Sequence, residues 1–270
     1  MGKNNPGPIQ GAFRGDQRPA GDLAVGRNAV LELLKGKREV ECVYLWEEDP
    51  SKGQPLSRIA GMARERGIPV KRVDVRKLEH LAGGLHHQGV VAVAAAFSYS
   101  TLEEILARAG EEPPFLVLAD GIEDPHNLGA IIRTAEAAGA HGLIIPKRGG
   151  VGLTPIVGRT SAGAVEHLPV ARVPNLTAAI QQLQKRGIWV YCADMGGQPW
   201  DQTDLRGPLA LVVGSEGFGV SRLVRETCDG AVSLPMCGKV NSLNASVAAG
   251  ILLYEAVRQR TGSASPSHQK

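Results

Sequence analysis

The chain has 270 residues, enough for two domains with separate cores; 43% of them are hydrophobic and only 4% aromatic, so the cores are built mainly from Val, Leu, Ile and Ala. No apolar run approaches the roughly 20 residues needed to span a bilayer, and the opening stretch, Met1 to Gly21, rich in Gly, Pro, Asn and Gln, lacks the apolar core of a signal peptide. The net charge of +3 is unevenly divided: residues 1–99 carry 15 Lys and Arg against 11 Asp and Glu, a balance of +4, and the rest carry 15 against 16, a balance of −1, which is compatible with phosphate contacts by the N-terminal portion.

In chain order, residues 1–22 read as a flexible tail. Periodicity then predicts a helix over Gly26–Lys35, a strand over Cys42–Trp46, a helix over Pro55–Arg66 ended by Gly67, a strand over Val70–Val73, a short helix over Val75–Leu81 and a strand over Val90–Ala96. Together they predict a compact α/β domain over residues 23–97. Residues 98–114 read as a connection with one short helix, opened by a capping box at Thr101 and Glu104.

The second domain is expected over residues 115–260, with residues 261–270 as another flexible tail. Phe115–Ala119 is a short apolar run that predicts a buried parallel strand. Asp124-Pro125 opens a helix, Asp suiting the N-cap and Pro the first helical position. Leu128, Ile131, Ile132, Ala135 and Ala138 form its apolar stripe, and Gly139 closes it. Further strands are expected near 142–146, 168–171, 188–193, 209–213 and 231–234, mostly with helices between them, including one near Val220–Cys228 and a long last one from about Ser242. This alternation predicts a mostly parallel sheet covered on both faces.

Three of these strands run into polar segments at their C-terminal ends, the edge where open α/β sheets bind ligands. Asn127 and Arg133 lie on the helix after the first, Glu216 in the glycine-rich turn Gly214-Ser-Glu-Gly-Phe-Gly219, and Ser242 and Asn244 ahead of the last helix. Each has an ordinary reading as well. Asn127 satisfies backbone groups at a helix start, Arg133 pairs with Glu136 for about 0.2–0.5 kcal/mol, Glu216 sits at a helix N-terminus, and Ser242 and Asn244 cap a helix. The glycine turn lacks the GxGxxG spacing of a dinucleotide site, which argues against an oxidoreductase. Cys42, Cys192, Cys228 and Cys237 form no CxxC pair and suit a reducing cytoplasm; no spacing of His, Cys or carboxylates marks a metal site.

Asp124-Pro-His-Asn-Leu-Gly129 with Arg133, Gly214-Ser-Glu-Gly217 and Ser242-Leu-Asn-Ala-Ser246 resemble the three motifs of the SpoU family of RNA ribose 2′-O-methyltransferases. Gly26-Arg-Asn-Ala-Val-Leu-Glu-Leu-Leu34 and His87-Gln-Gly89 are similar to the N-terminal substrate-binding domain of the TrmH/RlmB branch, so the resemblance spans roughly residues 23–260. It implies a SPOUT-type sheet with a deep trefoil knot, preceded by a small α/β domain like ribosomal protein L30e, and a homodimer with the donor site near the subunit interface. It implies S-adenosyl-L-methionine as methyl donor, held by Gly214, Gly217, Leu234, Met236 and Leu243, with Arg133, Asn127, Glu216, Ser242 and Asn244 as catalytic residues. Asn127 is expected to hold Arg133 or a phosphate. Arg133 either stabilises the alkoxide formed from the 2′-hydroxyl or acts as the base. The second role demands a much lowered pKa, since a guanidinium normally stays charged to about pH 12. Arg27, Asn28, His87 and Gln88 are the expected RNA contacts. The implied substrate is a guanosine ribose in 23S ribosomal RNA; a tRNA-modifying relative or a non-catalytic RNA-binding protein of this fold would carry the same motifs.

Overall fold

The computed structural model describes residues 22–47 and 54–262. The expected tails lie outside them, apart from Asp22, Thr261 and Gly262. The first unit comprises β1 (Asp22–Val25), α1 (Arg27–Lys35), β2 (Val40–Trp46), α2 (Gln54–Glu65), β3 (Val70–Val73), α3 (Val75–Ala82) and β4 (Val90–Ala94). Its sheet runs β1-β4-β2-β3, with β2 and β3 parallel and the other pairs antiparallel. All five residues of β4 are buried because both of its faces are covered. Val90, Ala92 and Ala94 pack with α1 and α2, while Val91 packs with Leu78 and Leu81 of α3. The period-2 alternation of a strand divides them this way. β1 was not anticipated: four residues at a sheet edge carry too little alternation to register.

After α4 (Leu102–Arg108) the second unit runs β5 (Phe115–Asp120), α5 (Pro125–Ala137), β6 (Gly142–Pro146), α6 (Pro155–Thr160), a 3₁₀ turn (Ala164–Glu166), β7 (Val170–Val173), α7 (Leu176–Gln184), β8 (Trp189–Pro199), β9 (Leu209–Gly214), α8 (Arg222–Thr227), β10 (Gly230–Ser233) and α9 (Ala245–Thr261). The six strands lie in the order β10-β8-β9-β5-β6-β7, every pair parallel. Phe115, Val117, Ala119, Leu211 and Val213 face α5 and α9 on one side of the sheet. Leu116, Leu118, Ile144, Ala210 and Val212 face α4, α7 and α8 on the other. The sheet is therefore covered on both faces, which is why its central strands read as unbroken apolar runs.

The connecting segment contributes to this core. The capping box at Thr101 and Glu104 is formed, and Leu102 and Ile105 of α4 are buried against the sheet. The final helix starts later than expected: Asn244 is its N-cap and Ser242 lies in the preceding loop, because the Asn244 side chain accepts the first free N–H groups at Ser246 and Val247. α6, with Thr154 as N-cap and Pro at its first turn, was not foreseen either.

β8 is the element that deviates most. Its pairing with β10 jumps from Cys192–Ala231 to Gln198–Val232, so residues 193–197 bulge from the ladder. Gly197 permits the return, since a Cβ there would stand 2.4 Å from the Ala231 backbone.

The two units are docked through polar contacts. His167 Nε2 lies 2.7 Å from Glu32 Oε2, Arg38 pairs with Glu166 at 3.1 Å, and the Arg38 guanidinium stacks 3.9 Å from the centre of the Phe97 ring. No helix among the described residues is long and apolar enough to cross a membrane.

Candidate active site

The bulge within β8 and the loops after β9 and β10 line a cavity of about 570 Å³ at the C-terminal edge of the sheet, within the roughly 300–1,000 Å³ typical of small-ligand pockets. Each loop is shaped by a local feature of the sequence. The β8 bulge supplies Ala193, Asp194, Met195 and Gly196. The turn after β9 is closed by Ser215 N–H donating to Gly219 O at 3.1 Å and Gly219 N–H donating to Ser215 O at 2.9 Å. Gly214 has to be glycine, because a Cβ would sit 2.0 Å from the Gly219 carbonyl carbon. After β10 comes a stretch without regular structure, from Leu234 to Leu243, which ends where Asn244 starts α9.

All five residues expected to hold the donor, Gly214, Gly217, Leu234, Met236 and Leu243, line this cavity, together with Glu216 and Ser242. The walls combine apolar side chains with the main chain of glycine-rich turns, the surface an adenosyl group requires. Asp194 and Arg225 were missed by sequence reasoning. They line the cavity and pair at 3.2 Å. Both lie beyond the predicted end of a strand or inside an ordinary-looking helix; the only signal was Met195-Gly-Gly197, a break in an otherwise apolar run.

Asn244 joins the three motif segments. Its Nδ2 donates to Asn127 Oδ1 at 2.9 Å and to Glu216 Oε1, while its Oδ1 accepts from Ser246 and Val247 at the start of α9. Asn127 is buried, so its carbonyl has one defined partner. That partner is Asn244, not Arg133. Arg133 lies exposed on α5 and, among the described residues, pairs neither with Glu136 nor with any other carboxylate. Asp120, at the end of β5, accepts from Ser221 N at 2.7 Å and so fixes the start of α8 beside the glycine turn.

The candidate RNA contacts gather at one end of the first unit. Gln88 Oε1 accepts from Arg27 N at 3.0 Å, and Arg27 Nε donates to Gln88 O at 2.9 Å. Gln88 thereby caps α1, which has only Gly26 at its N-cap. Gly89 N donates to His87 Nδ1 at 3.0 Å. Burial, and then the neighbouring His86, hold the His87 imidazole below its ordinary pKa. Asn28 is exposed on the first turn of the same helix.

Residues 114–254 match the model of the SpoU rRNA methylase family, and residues 23–100 match the model for RNA 2′-O ribose methyltransferase substrate binding. The chain belongs to the SpoU rRNA methylase family. It is an RNA ribose 2′-O-methyltransferase. It is 48% identical over 242 residues to the Bacillus subtilis protein YacO, named for the TrmH family of tRNA/rRNA methyltransferases, covering 88% of this chain and 96% of that one. It is 43% identical over 241 residues to the 23S rRNA (guanosine-2′-O-)-methyltransferase RlmB of Ralstonia nicotianae, with the same coverage. The crystal structure of the SpoU methyltransferase AviRb from Streptomyces viridochromogenes, in complex with AdoMet, superposes with a TM-score of 0.71 at 28% identity, covering 88% of this chain and 89% of that one.

Proposed function

We propose that this SpoU methylase methylates the ribose 2′-hydroxyl of a guanosine in 23S ribosomal RNA, as a cytoplasmic homodimer whose second unit carries the trefoil knot of its family. One observation supports the site most directly: Asn127, Glu216 and Asn244, from three separate segments, converge on one hydrogen-bonded group at the edge of a cavity of suitable size. S-adenosyl-L-methionine is the donor; when bound it supplies an electrophilic methyl group. Gly214 and Gly217 let main chain approach it closely, and Leu234, Met236 and Leu243 form its apolar slot. Asn244 holds the Glu216 carboxylate in place. Arg133, exposed on α5, is free to meet an RNA phosphate and the charge developing on the 2′-oxygen beside it; as that oxygen bonds to the methyl group, S-adenosylhomocysteine leaves and the hydroxyl proton passes to solvent. Arg27, Asn28, His87 and Gln88 offer donors and acceptors to the RNA. The RlmB relatives favour the 23S substrate.

The test is transfer of radiolabelled methyl from S-adenosylmethionine to ribosomal RNA and, separately, to tRNA, by wild type and Arg133→Ala. Label on ribosomal RNA, reduced by about 10²–10³-fold in a folded Arg133→Ala protein, is the expected result, the size of losing one electrostatic stabiliser. Label on tRNA alone overturns the substrate. A near-native rate for Arg133→Ala overturns the residue's role.

A further inference from the structure

Phe218 is 95% exposed, more than any other large apolar side chain among the described residues. Leaving a ring of that size in water forgoes the burial that places phenylalanine inside proteins. It stands in the turn that closes one wall of the cavity. The reciprocal main-chain bonds between Ser215 and Gly219 fix the turn that carries the ring beside the cavity. Gly217 and Gly219, with φ of 86° and 68°, flank it and offer no side chain to cover either ring face. Glu216, two residues earlier, is exposed and tied to Asn244.

RNA strands recognised outside a duplex present unstacked bases, and such a base beside the reacting ribose is held most simply by an aromatic face, because every base has one to offer. We propose that Phe218 stacks on a base of the RNA strand entering the site and holds the adjoining ribose towards the cavity. The inference rests on the reading of this cavity as the methyl-transfer site. A ring flanked by glycines, in the same turn as an exposed carboxylate and at the mouth of the methyl-transfer cavity, favours a base over the apolar face of a second protein copy.

Wild type, Phe218→Ala and Phe218→Trp are compared with ribosomal RNA as probe. The expected result is a rise in KM for RNA of about 5- to 150-fold in Phe218→Ala, as the loss of one base–aromatic stack implies. The dissociation constant for S-adenosylmethionine stays at the wild-type value. Phe218→Trp keeps the wild-type KM, and RNA, but not S-adenosylmethionine, quenches its fluorescence beyond the change seen in wild type. An unchanged KM in Phe218→Ala, a loss confined to S-adenosylmethionine affinity, or a shift of oligomeric state on sedimentation each overturns the proposal. If wild type methylates no RNA, the catalytic reading fails, and the quenching of Phe218→Trp by RNA still decides the stacking: its presence supports it, its absence overturns it.

Discussion

Asn244 uses both ends of its amide. The carbonyl caps α9 and the NH₂ group bridges Asn127 and Glu216. The two functions separate cleanly in variants. Asn244→Asp keeps the acceptor that caps the helix but replaces the shared donor with a second carboxylate beside Glu216. It is expected to keep the cap's contribution to stability while methyl transfer falls at least about tenfold, roughly 1.4 kcal/mol of lost transition-state stabilisation. Asn244→Ala is expected to lose activity and, in addition, about 1 kcal/mol of stability from the missing cap. Thermal melts read the cap, and initial rates read the bridge. If both variants turn over like wild type, the bridge has no part in the reaction. The motifs picked out Asn127, Glu216 and Asn244, but not who bonds to whom: the Asn127–Asn244 bond spans 117 residues, and no local pattern encodes it. Asn127 was expected to hold Arg133 or a phosphate; within the chain its Oδ1 accepts from Asn244 and not from Arg133.

At the scale of elements, periodicity located most helices and strands of the sheet because burial on one face or both writes itself into apolar spacing. It failed where an element owes its shape to a partner. β1 exists because β4 pairs with it, and the β8 bulge is visible only against the register of β10. Residues 101–113 fall between the two regions matched by family models, yet their helix α4 belongs to the core. A Cβ on Gly142 of β6 would stand 2.5 Å from Ile105 Cγ2 of α4. Gly142→Ala is therefore expected to cost about 1–3 kcal/mol by overpacking. In an Ile105→Ala background, where the added methyl fills vacated space, the same substitution is expected to cost nothing or to stabilise. A urea-unfolding double-mutant cycle checks this; equal costs in the two backgrounds would show that α4 does not press on β6.

The docking of the two units was the least legible feature. Glu32, Arg38, Glu166 and His167 look like ordinary surface charges in sequence and meet only in three dimensions. Burial pushes the Glu32 carboxyl up, but hydrogen bonds from Lys35 and His167 outweigh it and hold the pKa below its ordinary 4.5. A carboxylate so lowered stabilises the fold fully above its unfolded pKa and loses that contribution as the pH falls through the folded value. The His167 share of that lowering belongs to docking, which is expected to loosen in acid, below 4.5, and Glu32→Gln is expected to flatten that part of the dependence. Proteolysis of the segment joining the units, followed from neutral pH downwards, reads the opening. An identical acid profile in Glu32→Gln would assign the loosening to another pair. Arg38 adds a second constraint. Its buried guanidinium has Glu166 as its carboxylate partner and the Phe97 ring beneath it, and removal of one partner of such a pair leaves an unmatched charge inside the protein.

The span of the Asn127–Asn244 bond also sets an order of events in time. Contacts between distant residues form only after the intervening chain has been closed into a loop, at an entropic cost that local helices and hairpins avoid. A refolding chain will therefore regain most of its helical signal before it regains a working site. Methyl-transfer competence should return with the slowest kinetic phase, leaving an interval in which the protein is compact, helical and inert.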